Sequence, residues 1–230
     1  MKVLAIMGSY RKGGTIDTVT DEILEGARSE GAQTEKIVLR DQDIQWCRNC
    51  FCCYNDSDSD IGRCAIEDDM AGIVRKCAEA DGIVLASSIN SGSVTAVTKS
   101  FMERLTFTLA RPTGRWLWFK GVPQTRIEKR KRAVVVTSAG MVPRYLRFLV
   151  SYPEYQLAGT AGMTLNADVV GKMFIGSISG RALRESELRR AFEMGRLLGV
   201  EKLPMARSAL ARLRSRIEPF GETASSMIKP

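Results

Sequence analysis

The 230-residue sequence contains no histidine, and that absence removes several kinds of chemistry. Without imidazole there is no Ser-His-Asp or Cys-His nucleophile pair, no histidine-ligated zinc or haem, and no histidine acid or base at neutral pH. Also missing is an apolar run long enough to cross a bilayer. Met1 to Met7 (MKVLAIM) leads straight into a glycine loop, without the basic stretch, apolar segment and cleavage site of a secreted precursor. A cytoplasmic protein is therefore expected. Chemistry must be carried by cysteine, carboxylates, arginine and lysine, hydroxyls or a borrowed cofactor. In a reducing compartment six cysteines suit metal ligation or redox work better than a disulfide framework. A chain of this size buries about 70% of its unfolded surface, enough for one core with a tail.

Short apolar runs at Val3 to Met7, Thr34 to Leu39, Gly82 to Ser87, Ala133 to Thr137 and Met173 to Ile178 read as strands. Between them, Thr15 to Ser29, Asp68 to Ala80, Val94 to Ala110 and Ala182 to Leu198 show helical spacing. The first, third and fourth strands are almost wholly apolar, the pattern of a parallel sheet covered on both faces. This alternation predicts a doubly wound α/β domain with a five-stranded parallel sheet over residues 1–199, whose ligands sit beyond the carboxyl ends of its strands. Residues 200–230 lose the strand pattern and read as a basic helical appendage.

Three polar or glycine-rich loops follow strand ends: Gly8 to Thr15, Ser87 to Ser93 and Ser138 to Met141. In the first, backbone amides and the positive end of the following helix make an anion site. Ser9 and Thr15 add hydroxyls, Arg11 a charged fork, and Gly13 and Gly14 let the backbone approach. The spacing matches neither Gly-x-Gly-x-x-Gly nor the Walker pattern. A single phosphate is the natural guest.

With Gly8-Ser9-x-Arg11, the cysteine cluster followed by Cys64-Ala65-Ile66-Glu67-Asp68-Asp69-Met70, Ala80 to Leu85 (ADGIVL) and Lys99 to Leu105 (KSFMERL), the sequence resembles the NADPH-dependent FMN reductase family of flavodoxin-like proteins. Within that family it is most similar to the iron-sulfur flavoproteins, over about residues 1 to 200. The resemblance implies that Ser9, Arg11, Gly13, Gly14, Thr15 and Ile16 surround the FMN phosphate. It also implies that Ser88, Ile89, Asn90, Ser91, Gly92 and Ser93 pass along the flavin ring, and that Ser138, Ala139 and Gly140 close its far side. Ser88 and Asn90 stand where the family usually carries proline and an aromatic, which removes a stacking partner for the ring. Thr15 and Ile16 replace a common Asn and Thr, which leaves the backbone amides in place.

Cys47, Cys50 and Cys53 are each separated by two residues, and ten residues intervene before Cys64. Three thiolates at that spacing converge from one loop and a fourth completes the shell. The resembled iron-sulfur flavoproteins imply a 4Fe-4S cluster on Cys47, Cys50, Cys53 and Cys64. Structural zinc on the same four and a set of reduced thiols without a cluster are the alternatives, and Cys52 is a candidate in place of Cys53. Cys77 lies in a helix pattern and reads as a small buried hydrophobe. Asp68 and Asp69 invite a general acid/base reading, but their place at a helix start favours capping.

Positive charge is concentrated. Residues 111–132 carry eight Lys or Arg against Glu128, which amounts to +7 of the net +8, together with Trp116, Trp118 and Phe119. Such an insert suits a subunit contact or lid, an acidic electron-carrier protein or the 2'-phosphate of NADPH better than nucleic acid. The tail interleaves six basic residues with Leu203, Leu210, Leu213 and Ile217, as in a helix lying on a neighbouring subunit. Together these features predict an FMN-dependent oxidoreductase, assembled as a dimer or tetramer, that passes electrons between flavin and a 4Fe-4S cluster. The alternatives are an NAD(P)H-dependent FMN or quinone reductase without a cluster and a zinc-binding regulatory module.

Overall fold

Strand β1 (Lys2–Gly8) sends alternate residues to opposite faces: Val3, Ala5 and Met7 enter one apolar cluster, Leu4 and Ile6 the other. The same division holds on β3 (Gly82–Asn90), with Val84 and Ala86 opposed to Ile83 and Leu85. It holds again on β4 (Lys131–Ser138), with Val134 and Val136 opposed to Ala133 and Val135. These strands are apolar on both faces because helices cover both. β2 (Gln33–Val38) and β5 (Ala167–Ile175) form the edges, giving the strand order 2-1-3-4-5 with every neighbouring pair parallel. That is the flavodoxin-like doubly wound order, with its crevice where the order reverses, between β1 and β3.

This computed structural model describes residues 1–112 and 124–200, with only the backbone at 115–116 and 119–120. The side chains of Arg115, Trp116, Trp118, Phe119 and Lys120, and the basic appendage at 201–230, lie outside the described residues. Among the described residues no helix is long and apolar enough to cross a membrane.

One face is covered by α1 (Thr15–Ser29) and α5 (Glu185–Gly199). A Cβ on Gly195 would stand 1.8 Å from the Ile23 carbonyl oxygen, and one on Gly26 would stand 2.0 Å from that of Phe192. These glycines therefore set how closely the two helices cross. The other face carries α2 (Met70–Glu79), α3 (Ala96–Leu109) and α4 (Tyr152–Gly159). The last follows a 3-10 segment, Arg144–Val150, in a stretch where the sequence pattern indicates neither helix nor strand. The fifth strand begins six residues before the apolar run at Met173. Its first part, Ala167 to Lys172, mixes Ala167, Val169 and Val170 with Asp168, Gly171 and Lys172 and is mostly half-buried, as on a partly covered edge, and a register shift between Val169 and Gly171 breaks its alternation.

Much of the basic insert is consumed internally. Lys129 pairs with Asp81, and Arg130 holds Asp168 through two bonds of 2.6 and 2.7 Å. Arg132 donates to the carbonyls of Leu197 and Val200 at the end of α5. Lys131 is buried, its ammonium donating to the carbonyls of Ala78 and Ala80 where α2 ends. Burial, with repulsion from Lys129, pushes its pKa down to about 8.

Candidate functional site

Register alone gathers the three loops. Gly8 lies beside Ser87, and Ser88 beside Ser138, at the carboxyl edge of three adjacent strands. Beneath them is a buried hydroxyl cluster. Thr95, the N-cap of α3, donates to the Gly8 carbonyl at 2.6 Å and accepts from the Thr98 amide; Thr98 and the Thr95 amide both reach the Ser87 hydroxyl at 3.2 Å. A Cβ on Gly8 would stand 1.8 Å from the Thr98 hydroxyl oxygen, so glycine is what lets the loop settle on α3.

On that base the first loop turns into α1. Ser9 is buried, accepts from the Arg11 amide at 3.3 Å and meets the Ser88 hydroxyl at 3.2 Å. Gly13 adopts a left-handed φ of +67° that suits glycine. Gly14 is the N-cap of α1, which has no side-chain cap, so the first-turn amides at Thr15 and Ile16 are presented without one. Arg11 is exposed at the rim. The Gly13 amide is already engaged, donating to Asp17 at 2.7 Å. Burial opposes the Asp17 charge, but Lys36 at 2.7 Å and the Gly13 amide outweigh it and hold the carboxyl below its ordinary value. An uncapped helix start, a glycine turn and a buried serine fit a phosphate. Gly13 contributes shape there rather than a donor.

The second loop is a β-hairpin. Ile89 and Asn90 pair antiparallel with Val94 and Ser93 around Ser91 and Gly92, whose φ values are +48° and +74°, as in a two-residue type I' turn. Ser93 donates to Gln156 on α4 at 3.0 Å. In the third loop, Ser138 and Ala139 are buried. Ala139 and Gly140 are tied by backbone bonds to Ile175, Ile178 and Ser179 beyond β5.

The cysteines form a separate centre at the far end of α3. Cys47, Cys50, Cys53 and Cys64 line one enclosed recess together with Ile66, Arg104 and Phe107; Cys52 is not among its lining residues. Left-handed φ values of +50° at Asn49 and +58° at Phe51 curl the loop, and the Asn49 amide donates to the Cys47 sulfur at 3.4 Å. Phe51, Tyr54 and Phe107 pack edge to face beside it, Phe51 and Phe107 as part of its lining. Burial pushes the Cys53 thiol up to about 11 and that of Cys77, which is wholly buried inside α2, up to about 12. Cys77 thus behaves as a core hydrophobe. Among the described residues no three Cys, Asp or Glu side chains converge closely enough for one metal ion. A cubane cluster binds each thiolate at a different iron and so needs its ligands further apart than one zinc does. Four thiols in one pocket, with a backbone amide aimed at sulfur, fit such a cluster; the free space of about 10 Å³ requires the loop to open around it.

Two arginines hold this centre. Arg126, from the basic insert, donates to the carbonyls of Cys53, Tyr54, Asp56, Ser59 and Ala110. It gathers the acidic segment between Cys53 and Cys64. A Cβ on Gly62 would stand 2.1 Å from the Cys53 carbonyl oxygen, so the base of that segment closes on the Cys53 backbone. Arg104, from α3, is buried against Asp68, with Nη1 and Nη2 bonded to its two oxygens at 2.7 and 2.9 Å. Asp68 also accepts from the Gln45 and Met70 amides. Thus only part of its role is at the start of α2, and the rest is a buried ion pair. The N-cap residue itself is Asp69, whose side chain instead takes the Asp43 amide at 2.8 Å. Neither carboxylate is placed for acid/base work. The sequence pattern gave no hint of the roles of Arg104, Arg126 or the Ser87-Thr95-Thr98 cluster. The only trace of the last is polar residues at positions that the period assigns to the core.

The chain is similar to several known proteins. An iron-sulfur flavoprotein of Methanocaldococcus jannaschii is 38% identical over 104 residues, covering 45% of this chain and 51% of that protein. One of Archaeoglobus fulgidus is 33% identical over 113 residues, covering 49% of each. The chain thus spans about half the length of the curated relatives it matches. Among solved structures, an NAD(P)H:quinone oxidoreductase from Methanothermobacter marburgensis superposes with a TM-score of 0.63 at 19% identity, over 85% of this chain and 98% of that one, a likeness of fold. The model of the NADPH-dependent FMN reductase family matches residues 1–143, more than half of the sequence and the whole of both candidate sites up to the third loop. The chain belongs to the NADPH-dependent FMN reductase family.

Proposed function

We propose that this protein is an FMN-dependent oxidoreductase that passes electrons between the flavin and a 4Fe-4S cluster, with NAD(P)H as a candidate donor. The observation that carries the proposal is that one helix, α3, supports an anion loop at its start and borders a four-thiol recess near its end. When bound, FMN supplies hydride and single-electron chemistry and the cluster supplies single electrons. The chain's own residues bind and orient. Ser9, Arg11, Gly14, Thr15 and Ile16 take the phosphate, with Gly13 shaping the turn. The hairpin Ser88 to Ser93 and the loop Ser138 to Gly140 flank the ring. Cys47, Cys50, Cys53 and Cys64 are the cluster ligands. Electron or hydride transfer at the ring needs no protein acid or base, so no catalytic residue is assigned.

The test is purification of the full chain without oxygen, followed by its absorption spectrum and its iron, zinc and acid-labile sulfide content. Flavin bands with about four irons per chain are the expected result. Flavin without iron leaves an NAD(P)H-dependent FMN or quinone reductase. Zinc without flavin reduction by NAD(P)H overturns the enzyme reading. We further propose a cytoplasmic homo-oligomer. Tyr145, Phe148, Leu149, Tyr152 and Tyr155 are all exposed on consecutive turns after the third loop, an apolar concentration of the kind that subunit contacts cover. Replacing Tyr145 and Phe148 by Ser is expected to lower the mass measured by light scattering.

A further inference from the structure

Among the described residues, two buried side-chain nitrogens have no hydrogen-bond partner, Nε of Arg104 and Nε of Arg181. They differ in surroundings. Arg181 lies in a loop beyond β5, paired with Glu187. Arg104 has a 2% exposed side chain and lines the recess with four thiols. Its terminal nitrogens are both engaged: Nη1 serves Asp68 and the Gln45 carbonyl, and Nη2 serves Asp68. The partner carboxylate is itself over-supplied, because Asp68 accepts two backbone amides besides the guanidinium and sits next to the positive end of α2. The guanidinium is therefore fixed in orientation and charge, with Nε the one nitrogen that has no partner. A buried donor without an acceptor costs about 1–3 kcal/mol, which is a reason to look for the acceptor it is meant to meet. Cys64 lines the same recess as Arg104.

From this we propose that Arg104 is a hydrogen-bond donor to the iron-sulfur centre, its Nε–H directed at the Cys64 sulfur, and that its fixed charge makes the cluster easier to reduce. The inference rests on the cluster reading above. Adding an electron to a cluster adds negative charge, and in a water-excluding recess a nearby cation and an N–H···S bond favour the more negative state. The same side chain ties this effect to the flavin end, because Thr98, which supports the Gly8 loop, is only six residues earlier on α3, about 9 Å along the helix axis.

Removing Arg104 alone strands a buried carboxylate, so the decisive variant is the double neutral replacement Arg104→Gln with Asp68→Asn, compared with Arg104→Lys, which keeps a charge but loses the fork. Each full-length protein is loaded with iron and sulfide without oxygen, and the cluster is titrated potentiometrically by electron paramagnetic resonance. The double variant is expected to retain flavin and about four irons while its midpoint falls. A tenfold loss in the reduced-to-oxidised ratio at fixed ambient potential corresponds to about 59 mV for one electron. Arg104→Lys is expected to fall less. Iron-loaded variants with the wild-type midpoint overturn the role of Arg104 and leave the cluster reading standing. A wild-type chain that takes up no iron overturns both.

Discussion

At the Thr95 end of α3 the glycine loop is held by hydroxyls and backbone amides, and the charged group it offers, Arg11, stands in solvent. At the Arg104 end the charges are buried, the aromatic rings are packed over the cysteines, and the loop is pinned by guanidinium groups reaching its carbonyls. The difference matches the two ligands proposed for these ends. A phosphate is held by a helix terminus and several amides that any sequence supplies, so no one side chain is decisive. A cluster is held by four particular sulfurs, so each ligand is indispensable and its surroundings must exclude water and balance charge.

The sharpest way to break that contrast is at the cysteines. Cys53→Ser is expected to lose nearly all bound iron while FMN affinity holds, because metal binding depends on the complete ligand set. Cys52→Ser is expected to retain the iron, since Cys52 is not among the residues lining the recess. Iron analysis of both proteins decides it, and the reverse result moves the fourth ligand to Cys52. Next in size is Gly8→Ala, whose new methyl collides with Thr98. Overpacking of this kind costs about 1–3 kcal/mol, expected to appear as FMN binding weakened about tenfold to a hundredfold with iron content unchanged. If the iron is lost too, the two ends are not independent.

Ser9→Ala together with Arg11→Ala tests the claim that no single side chain decides phosphate binding. Charge-assisted bonds contribute about 1.5–3 kcal/mol when buried. With Arg11 exposed, the lower end applies, about tenfold in FMN dissociation constant by titration calorimetry. Unchanged affinity places the phosphate elsewhere. The smallest effect concerns Lys131, at the start of β4, whose ammonium caps the end of α2, the helix that follows the cysteine loop. Its pKa is down at about 8 against about 10.4 in an unfolded chain. Between those values the unfolded chain binds the extra proton, so Lys131 makes stability rise with pH across that window. Lys131→Met is expected to flatten the rise in urea midpoints measured between about pH 8 and about pH 10. An unaltered slope would show that the ammonium keeps its ordinary pKa in the fold.

Much of this was legible beforehand. β1, β3 and β4 announce themselves because buried parallel strands are apolar on both faces, and α1 carries Val19, Ile23, Leu24 and Ala27 along one side. The edge strand β5 was legible only over Met173 to Ile175, since Asp168, Gly171 and Lys172 interrupt the apolar residues of its first part and a register shift breaks their alternation. α4 and the 3-10 turn before it were not legible at all, because most of their large apolar residues point outward. The hairpin at Ser91 and Gly92 looked like a loop because its second strand is two residues long.

The amino-acid sequence by itself determined the layered α/β architecture and placed the glycine turn at Gly8 to Thr15 after β1, since both depend on local period or spacing. Tertiary structure decided what spacing cannot express. It put Cys53 rather than Cys52 on the recess, used the Gly13 amide for Asp17, and spent most of the described basic residues of the 111–132 insert on internal carboxylates and carbonyls. It also brought Arg104 to Asp68, 36 residues earlier in the chain. A buried charge finds its partner by position in space, and nothing in the residues next to Arg104 encodes where that partner is.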